Sequence, residues 1–336
     1  MHSMDSNDIF LVSEDKSIDE EVEKLFQYWR NRGFPNYYIN DYDKDEELQK
    51  LIKFDDGQIF YDNKLKQTMH SLGFLWTYFP HWVDVKFDDS NSLMDNWNND
   101  KKLRDLIRKT YIWQLKYGAG KFTINRLRQN AKVYCSKQSV SNFRPTVSKF
   151  IYNKFGNAGV VWDMCGGWGG RLFGFLSSNC KKYIGTEPSI KTFEGLTKLS
   201  KDFTYVKKDV ELYCTGSEDF KPDLESLDLC FTSPPYFDTE KYSEESTQSF
   251  KKFPTKESWI EGFLQQTTKN CFHGLKRGGH LIINISNTPK YKNLESEMIR
   301  VATEEGFILE DTYNLILSSI SGRGIKYEPV FIFRKQ

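Results

Sequence analysis

Two short apolar runs in this chain each end in a loop with an unusually constrained backbone. Val160-Val161-Trp162-Asp163 runs into Met164-Cys165-Gly166-Gly167-Trp168-Gly169-Gly170. Some seventy residues later, Leu227-Asp228-Leu229-Cys230-Phe231 runs into Ser233-Pro234-Pro235-Tyr236. A buried strand that delivers a special loop at its carboxyl end is how open α/β sheets build their sites. The two runs therefore fix the fold class before any other feature is considered.

The flanking pattern agrees. A helix near 145–155 precedes the strand at 159–163, and the glycine loop opens a helix at 169–178. A strand over 182–187, a helix over 189–199 and a short strand Thr204–Lys207 leading to Asp209 come next. After the strand at 227–232, a long helix over 255–276 is broken by Gly278-Gly279 before a strand at 280–286. A helix at 293–305 then precedes strands at 307–317 and 327–334, joined through Gly322 and Gly324. Such alternation predicts a Rossmann-like α/β fold, with a mostly parallel seven-stranded sheet covered by helices on both faces. Two final strands with no helix between them predict an antiparallel last strand.

Ahead of this domain, expected over 131–336, lies an N-terminal region, 1–130, that reads as mainly helical. Over 17–33, Val22, Leu25, Phe26 and Trp29 share one face, Ser17 stands at the cap position and Gly33 at the stop. Residues 101–117 form a cationic helix closed by Gly118-Ala119-Gly120. Residues 34–100 give no readable topology.

Charge is segregated. Residues 1–100 hold 10 Lys/Arg against 21 Asp/Glu, residues 101–154 hold 14 against one, and the rest 23 against 24, so the net charge of +1 conceals a basic block. Interleaved with Tyr111, Trp113, Tyr117, Phe122, Tyr134 and Phe143, this block suits a nucleic-acid footprint through Arg126, Arg128 and Lys132. Pairing with the acidic first hundred residues is the alternative. The six cysteines have no C-x-x-C spacing, which points to a reduced, cytoplasmic protein without structural zinc. No apolar window has the length of a membrane span. His273 and His280 have no partner spacing for a metal, and none is expected.

The glycine loop lacks the G-x-G-x-x-G spacing of dinucleotide sites. An acid at Asp163 would repel a pyrophosphate but suits a cofactor carrying an ammonium and a sulfonium. Glu187, 24 residues on, lies near the offset at which an acid accepts hydrogen bonds from ribose hydroxyls. Asp209, after the third strand, is expected to meet an adenine amino group. The second loop suits an exocyclic amino group, a poor nucleophile because its lone pair is delocalised. Acceptors at Ser233 and the Pro234 carbonyl can relocalise that pair as charge develops, Pro234 and Pro235 stiffen the loop, and Tyr236 offers a face for stacking. A base in a duplex must be flipped out to reach such a loop. Phe237, Asp238 and Tyr242 follow closely, placed to line the pocket or read flanking nucleotides.

These residues resemble the S-adenosylmethionine-dependent DNA amino-methyltransferases, the N4-cytosine and N6-adenine group that includes phage-type and restriction-modification enzymes. Ser233-Pro234-Pro235-Tyr236 matches that family's D/N/S-P-P-Y/F motif, and Asp163, Gly167 and Gly169 match its D-P-F-x-G-x-G motif, with Met164 and Cys165 departing from it. Asn142-Phe143-Arg144-Pro145 is similar to the segment that borders the cofactor's methionine end. The resemblance covers about residues 135–336. It implies that Phe143, Cys165 and Ser233 also line the cofactor site, that S-adenosylmethionine is the cofactor, and that DNA, ahead of RNA, is the partner. RNA or protein-amide N-methylation, and non-catalytic nucleic-acid binding on the same fold, are the alternatives.

Overall fold

Leu227–Thr232 buries all six of its residues, as a strand covered on both faces must. It lies at the middle of a sheet that organises the carboxyl-terminal part of the chain. The computed structural model describes residues 9–11, 17–88, 90–118, 121–135, 140–317 and 326–336. Two units are distinguished. One gathers Met1–Asp41, Pro80–Ser141 and Glu240–Tyr242, the other Tyr42–Phe79, Asn142–Thr239 and Ser243–Gln336.

In the larger unit the main strands are β1 (Val160–Asp163), β2 (Lys182–Thr186), β3 (Asp209–Tyr213), β4 (Leu227–Thr232), β5 (Leu275–Asn284), β6 (Phe307–Leu317) and β7 (Lys326–Lys335). They lie in the order β3-β2-β1-β4-β5-β7-β6. Pairing is parallel from β3 through β5, and β7 runs antiparallel to both β5 and β6. This is the Rossmann-like arrangement with an antiparallel last strand that the sequence predicts. Two short strands, Phe60–Tyr61 and Lys64–Lys66, continue the sheet beyond β6 and bring it to nine strands.

The helices of this unit that flank the main strands are α1 (Pro145–Phe155), α2 (Gly170–Leu176), α3 (Ile190–Asp202), α4 and α5 (Leu294–Glu305), and Lys44–Lys53, Leu72–Trp76 and Ser249–Lys252 are helical as well. α4 is the continuous run Lys256–Trp259, Ile260–Gln265 and Gln266–Gly274, whose middle stretch is π-helical. It ends earlier than expected. β5 starts at Leu275 and absorbs Gly278, at φ +78°, in an irregularity before His280. The third strand is also displaced from its expected position. Thr204–Val206 forms a 3₁₀ turn that ends at Lys207, at φ +56°, and β3 begins at Asp209. The joint at Gly322 and Gly324 lies outside the described residues. Trp162, Trp259, Phe263, Leu281, Ile283 and Phe333 belong to the core formed on the α4 and α5 face.

In the smaller unit, helix Ile18–Arg32 buries Val22, Leu25, Phe26 and Trp29, and helix Asp100–Tyr117 buries Leu103, Leu106, Ile107 and Tyr111. Gly33, at φ +86°, closes the first helix, while the Ser17 side chain makes no capping bond. Arg104 donates to Glu23 at 2.8 Å and lies 3.5 Å above the Phe26 ring, Arg108 pairs with Asp19, and Arg30 lies 2.7 Å from Asp100. Part of the basic block is therefore neutralised by the acidic segment before it. Helices Leu93–Asn98 and Ile124–Tyr134 also belong to this unit.

Candidate active site

The strand order reverses between β1 and β4, which pair directly through Val161 with Leu229 and Trp162 with Cys230. Loops leaving the carboxyl ends of these two strands must therefore emerge side by side, the position at which open α/β sheets bind ligands. The glycine loop leaves β1 and Ser233-Pro234-Pro235-Tyr236 leaves β4.

Asp163 joins them, though not as expected. Its carboxylate is fully buried and accepts from Arg171 Nε at 2.9 Å, Tyr183 Oη at 2.7 Å and Thr232 Oγ1 at 2.9 Å, with the Cys165 N–H at 3.3 Å. A carboxylate so enclosed is not an open acceptor for a cationic ligand. The reason is Arg171, which reaches back from the first turn of α2 and also donates to the Cys165 carbonyl. Burial would lower the basicity of that guanidinium, but Asp163 raises it well above its usual range. A buried charge needs such a partner. Thr232 Oγ1 in turn accepts from the Cys165 N–H at 3.2 Å, so one hydroxyl links the strand carrying the second loop to the first.

Gly167 and Gly169 have φ of +55° and +75°, the left-handed region that favours glycine. Gly170 is required for another reason. A Cβ there would fall 1.9 Å from the Phe143 carbonyl oxygen, so segment 142–145 lies directly against the start of α2. Asn142 Nδ2 donates to the Trp168 carbonyl at 2.7 Å, and Phe143 packs edge-on against Phe231 of β4 at 5.4 Å. Arg144 donates to the Asn142 carbonyl at 2.9 Å, and burial pushes its guanidinium below the usual range. No carboxylate among the described residues comes within salt-bridge distance of it.

Glu187, half-buried just past β2, accepts from the Gly167 N–H and the Ser189 N–H, each at 3.0 Å. Burial pushes its carboxyl up to about 7, against the pull of those two donors. Asp209 does not join it. Because β3 starts rather than ends there, Asp209 lies at the amino end of the sheet, exposed and 3.6 Å from Lys182. The acid beyond the carboxyl end of β3 is Glu218, buried at 7% exposure. Its Oε1 accepts from Lys252 at 2.9 Å, while its Oε2 is buried with no hydrogen-bond partner among the described residues. Asn270 of α4 holds the Ser217 and Glu218 carbonyls at 3.0 and 3.1 Å. The half-buried Cys165 has its thiol raised far above the ordinary range, by burial first, then by Asp163, and also by Glu187 and Glu218.

In the second loop, Ser233 is half-buried, and its hydroxyl makes no hydrogen bond among the described residues. Pro234 lines a small cavity with Met164, Cys165, Thr232 and, from the π-helical stretch of α4, Phe263 and Leu264. Pro235 and Tyr236 are half-buried, and Tyr236 packs on the core. Phe237 is corrected to an anchor. At φ +56° and 8% exposure, its ring packs edge-on against Trp259 at 5.9 Å and Tyr291 at 6.3 Å, turned inward where it can read no nucleotide. Asp238 pairs with Lys290 at 3.1 Å. Tyr242 belongs to the smaller unit and donates to Glu240.

Of the cations assigned to nucleic acid, Arg128 is corrected. It is 6% exposed and lies 4.2 Å from the Tyr37 ring, too deep to meet a phosphate. Arg126 lies 3.5 Å from the Trp113 ring and Lys132 lies 4.5 Å from that of Trp82. Among the described residues no group of His, Cys, Asp and Glu is gathered to hold a metal, and no helix is long and apolar enough to cross a membrane. Sequence reasoning missed Thr232 and Glu218. The first was signalled only by a hydroxyl at the end of an apolar run, the second only by a correct end for β3.

No family model matches the chain, and no curated protein is similar to it. Among solved structures it is similar to the [4+2]-cyclase SpnF, 10% identical over 57% of this chain and 81% of that one, TM-score 0.42. It is similar also to a SAM-dependent O-methyltransferase from Thermotoga maritima, 14% identical over 59% and 68%, TM-score 0.40. A third is TrmN from Thermus thermophilus, 13% identical over 57% and 49%, TM-score 0.40. Likeness at this level leaves the chemistry to be read from this chain's own residues.

Proposed function

We propose that the protein is an S-adenosylmethionine-dependent methyltransferase that modifies an exocyclic amino group of a DNA base, N4 of cytosine or N6 of adenine. The observation that carries this reading is the Thr232 hydroxyl, which bonds both Asp163 and the Cys165 N–H and so fixes the Ser233 loop beside the glycine loop. The residues present fit that cofactor. Glu187 has lone pairs left for a ribose diol, Glu218 Oε2 is a buried acceptor in want of a donor such as an adenine amino group, and the half-buried Arg144 can receive a carboxylate. When bound, the cofactor supplies a methyl group on a sulfonium.

The chain's own part is to prepare the nitrogen. The Ser233 hydroxyl oxygen and the Pro234 carbonyl accept hydrogen bonds from the amino N–H groups, drawing the lone pair out of the ring as positive charge builds. Tyr236 stacks on the base, a contact worth roughly 1–3 kcal/mol. The prolines and the anchored Phe237 hold these groups in place before substrate arrives, so little ordering remains at the reactive moment. The test is incubation with methyl-labelled S-adenosylmethionine and separate pools of DNA, RNA and protein, followed by digestion of the DNA to nucleosides and mass identification of the modified base. Label in N4-methylcytosine or N6-methyladenine is expected, and label confined to protein or RNA would overturn the reading.

A further inference from the structure

Helix Asp100–Tyr117 sorts five of its six cations, all but Lys101, into two rows. Arg104 and Arg108 face the acidic helix Ile18–Arg32 and are paired there with Glu23 and Asp19. Lys102, Lys109 and Lys116 form the other row, each seven residues after the last, all exposed, and none has a carboxylate within salt-bridge distance among the described residues. At 1.5 Å per residue this row spans about 21 Å. Aromatic rings accompany it. Lys109 lies 4.7 Å from the ring of Tyr134, Lys116 lies 5.1 Å from that of Tyr117, and Arg126 lies 3.5 Å from that of Trp113. Tyr117 is 61% exposed and Tyr134 46%. Asp105 is the sole acid between residues 101 and 135.

Rings of this size left in water beside unneutralised cations match one kind of partner. A phosphate backbone neutralises the lysines and releases counterions, and unpaired bases cover the rings, which paired bases in a duplex cannot do. We propose that this face, Lys102, Lys109, Lys116, Tyr117, Arg126 and Tyr134, is a docking strip for a single-stranded segment of nucleic acid. The proposal rests on the nucleic-acid reading above only for the class of partner.

Fluorescence anisotropy of the full chain tests it, with one labelled oligonucleotide sequence offered as single-stranded DNA, single-stranded RNA and duplex DNA over a range of salt. The triple variant K102E/K109E/K116E should bind single strands at least tenfold more weakly. Its log Kd against log salt should flatten by about 2, three contacts at roughly 0.7 each. Y117A/Y134A should weaken single strands more than duplex, whereas R104Q/R108Q, in the neutralised row, should leave the salt slope unchanged. Circular dichroism melting confirms that each variant is folded. Unchanged affinity and slope in the folded triple variant would overturn the strip, as would a duplex held as tightly as a single strand and weakened equally. Because methyl transfer is not read, a protein that binds DNA through this strip yet never methylates it sinks the proposed reaction and leaves the strip standing.

Discussion

Asp163 shows how one residue can look like a ligand contact and instead be the joint that makes a site possible. Its carboxylate satisfies Arg171, Tyr183 and Thr232, and no part of it is exposed. Asp163→Ala would leave a buried guanidinium without its counter-charge, a loss of about 3–5 kcal/mol. Thr232→Val keeps the shape and removes only the bridging hydroxyl, at about 1–3 kcal/mol. Urea unfolding should rank them in that order, and an Asp163→Ala protein as stable as the parent would show that Arg171 finds another partner. Glu187 predicts a pH effect with a definite sign. Burial raises its carboxyl from 4.5 to about 7 in the folded protein, so folding takes up a proton between those values. Its contribution to stability is complete below pH 4.5 and is lost as pH rises through about 7. Accepting from a ribose diol favours the ionised form, so binding runs the other way. Affinity for S-adenosylmethionine, measured by calorimetry, should rise several-fold from pH 6 to pH 8, and Glu187→Gln should flatten that rise. A pH-independent affinity in the parent would remove Glu187 from the cofactor site.

At the scale of elements, the loop after β4 is held by strain at one residue and burial at the same residue. Phe237 occupies a left-handed conformation that costs a non-glycine residue on the order of 1–3 kcal/mol, and its ring repays this between Trp259 and Tyr291. Replacing Phe237 by alanine removes the ring and keeps the strain, whereas glycine removes both. Phe237→Gly should therefore unfold at higher urea than Phe237→Ala, the reverse of the usual ranking in regular structure. The opposite order would mean that the backbone relaxes once the ring is gone. Tyr236→Ala should lower turnover with labelled S-adenosylmethionine while leaving cofactor affinity by calorimetry close to the parent value, because the proposed role of Tyr236 is to stack on the base; an equal loss of both would contradict that role. The sequence made the strands at β1, β2 and β4 plain, because runs such as Val160-Val161-Trp162 and Leu229-Cys230-Phe231 have one explanation in an α/β chain. It misled at Thr204–Val206, where β-branched and aromatic residues suggested a strand. There the chain turns in 3₁₀ form, and Lys207, in the left-handed region, redirects it into β3. That displacement moved the acid at the strand's far end from Asp209 to Glu218.

At the scale of the whole molecule, the alternation of strands and helices is local and was legible, but the division into units was not. Residues 42–79 belong with the sheet although they precede the basic helices, and Glu240–Tyr242 belongs with those helices although it follows the Ser233 loop. Such exchanges depend on pairings between residues far apart in sequence, like Lys64 with Asn314 and Glu240 with Phe87, that no periodicity announces. Net charge conceals a similar division. The row pairing Arg104 and Arg108 with Glu23 and Asp19 is solvent-exposed, and exposed pairs contribute little and are screened. The Arg171–Asp163 pair is buried and is screened far less. Raising salt from about 0.1 to 1 M shortens the screening length from about 10 to 3 Å. The urea midpoint should then hardly move, while affinity for nucleic acid falls steeply over the same range. Parallel unfolding and anisotropy series at the two salt concentrations separate these effects. A midpoint that collapsed along with binding would assign the basic block to holding the smaller unit together through its acidic partner, and would leave no charge over for nucleic acid.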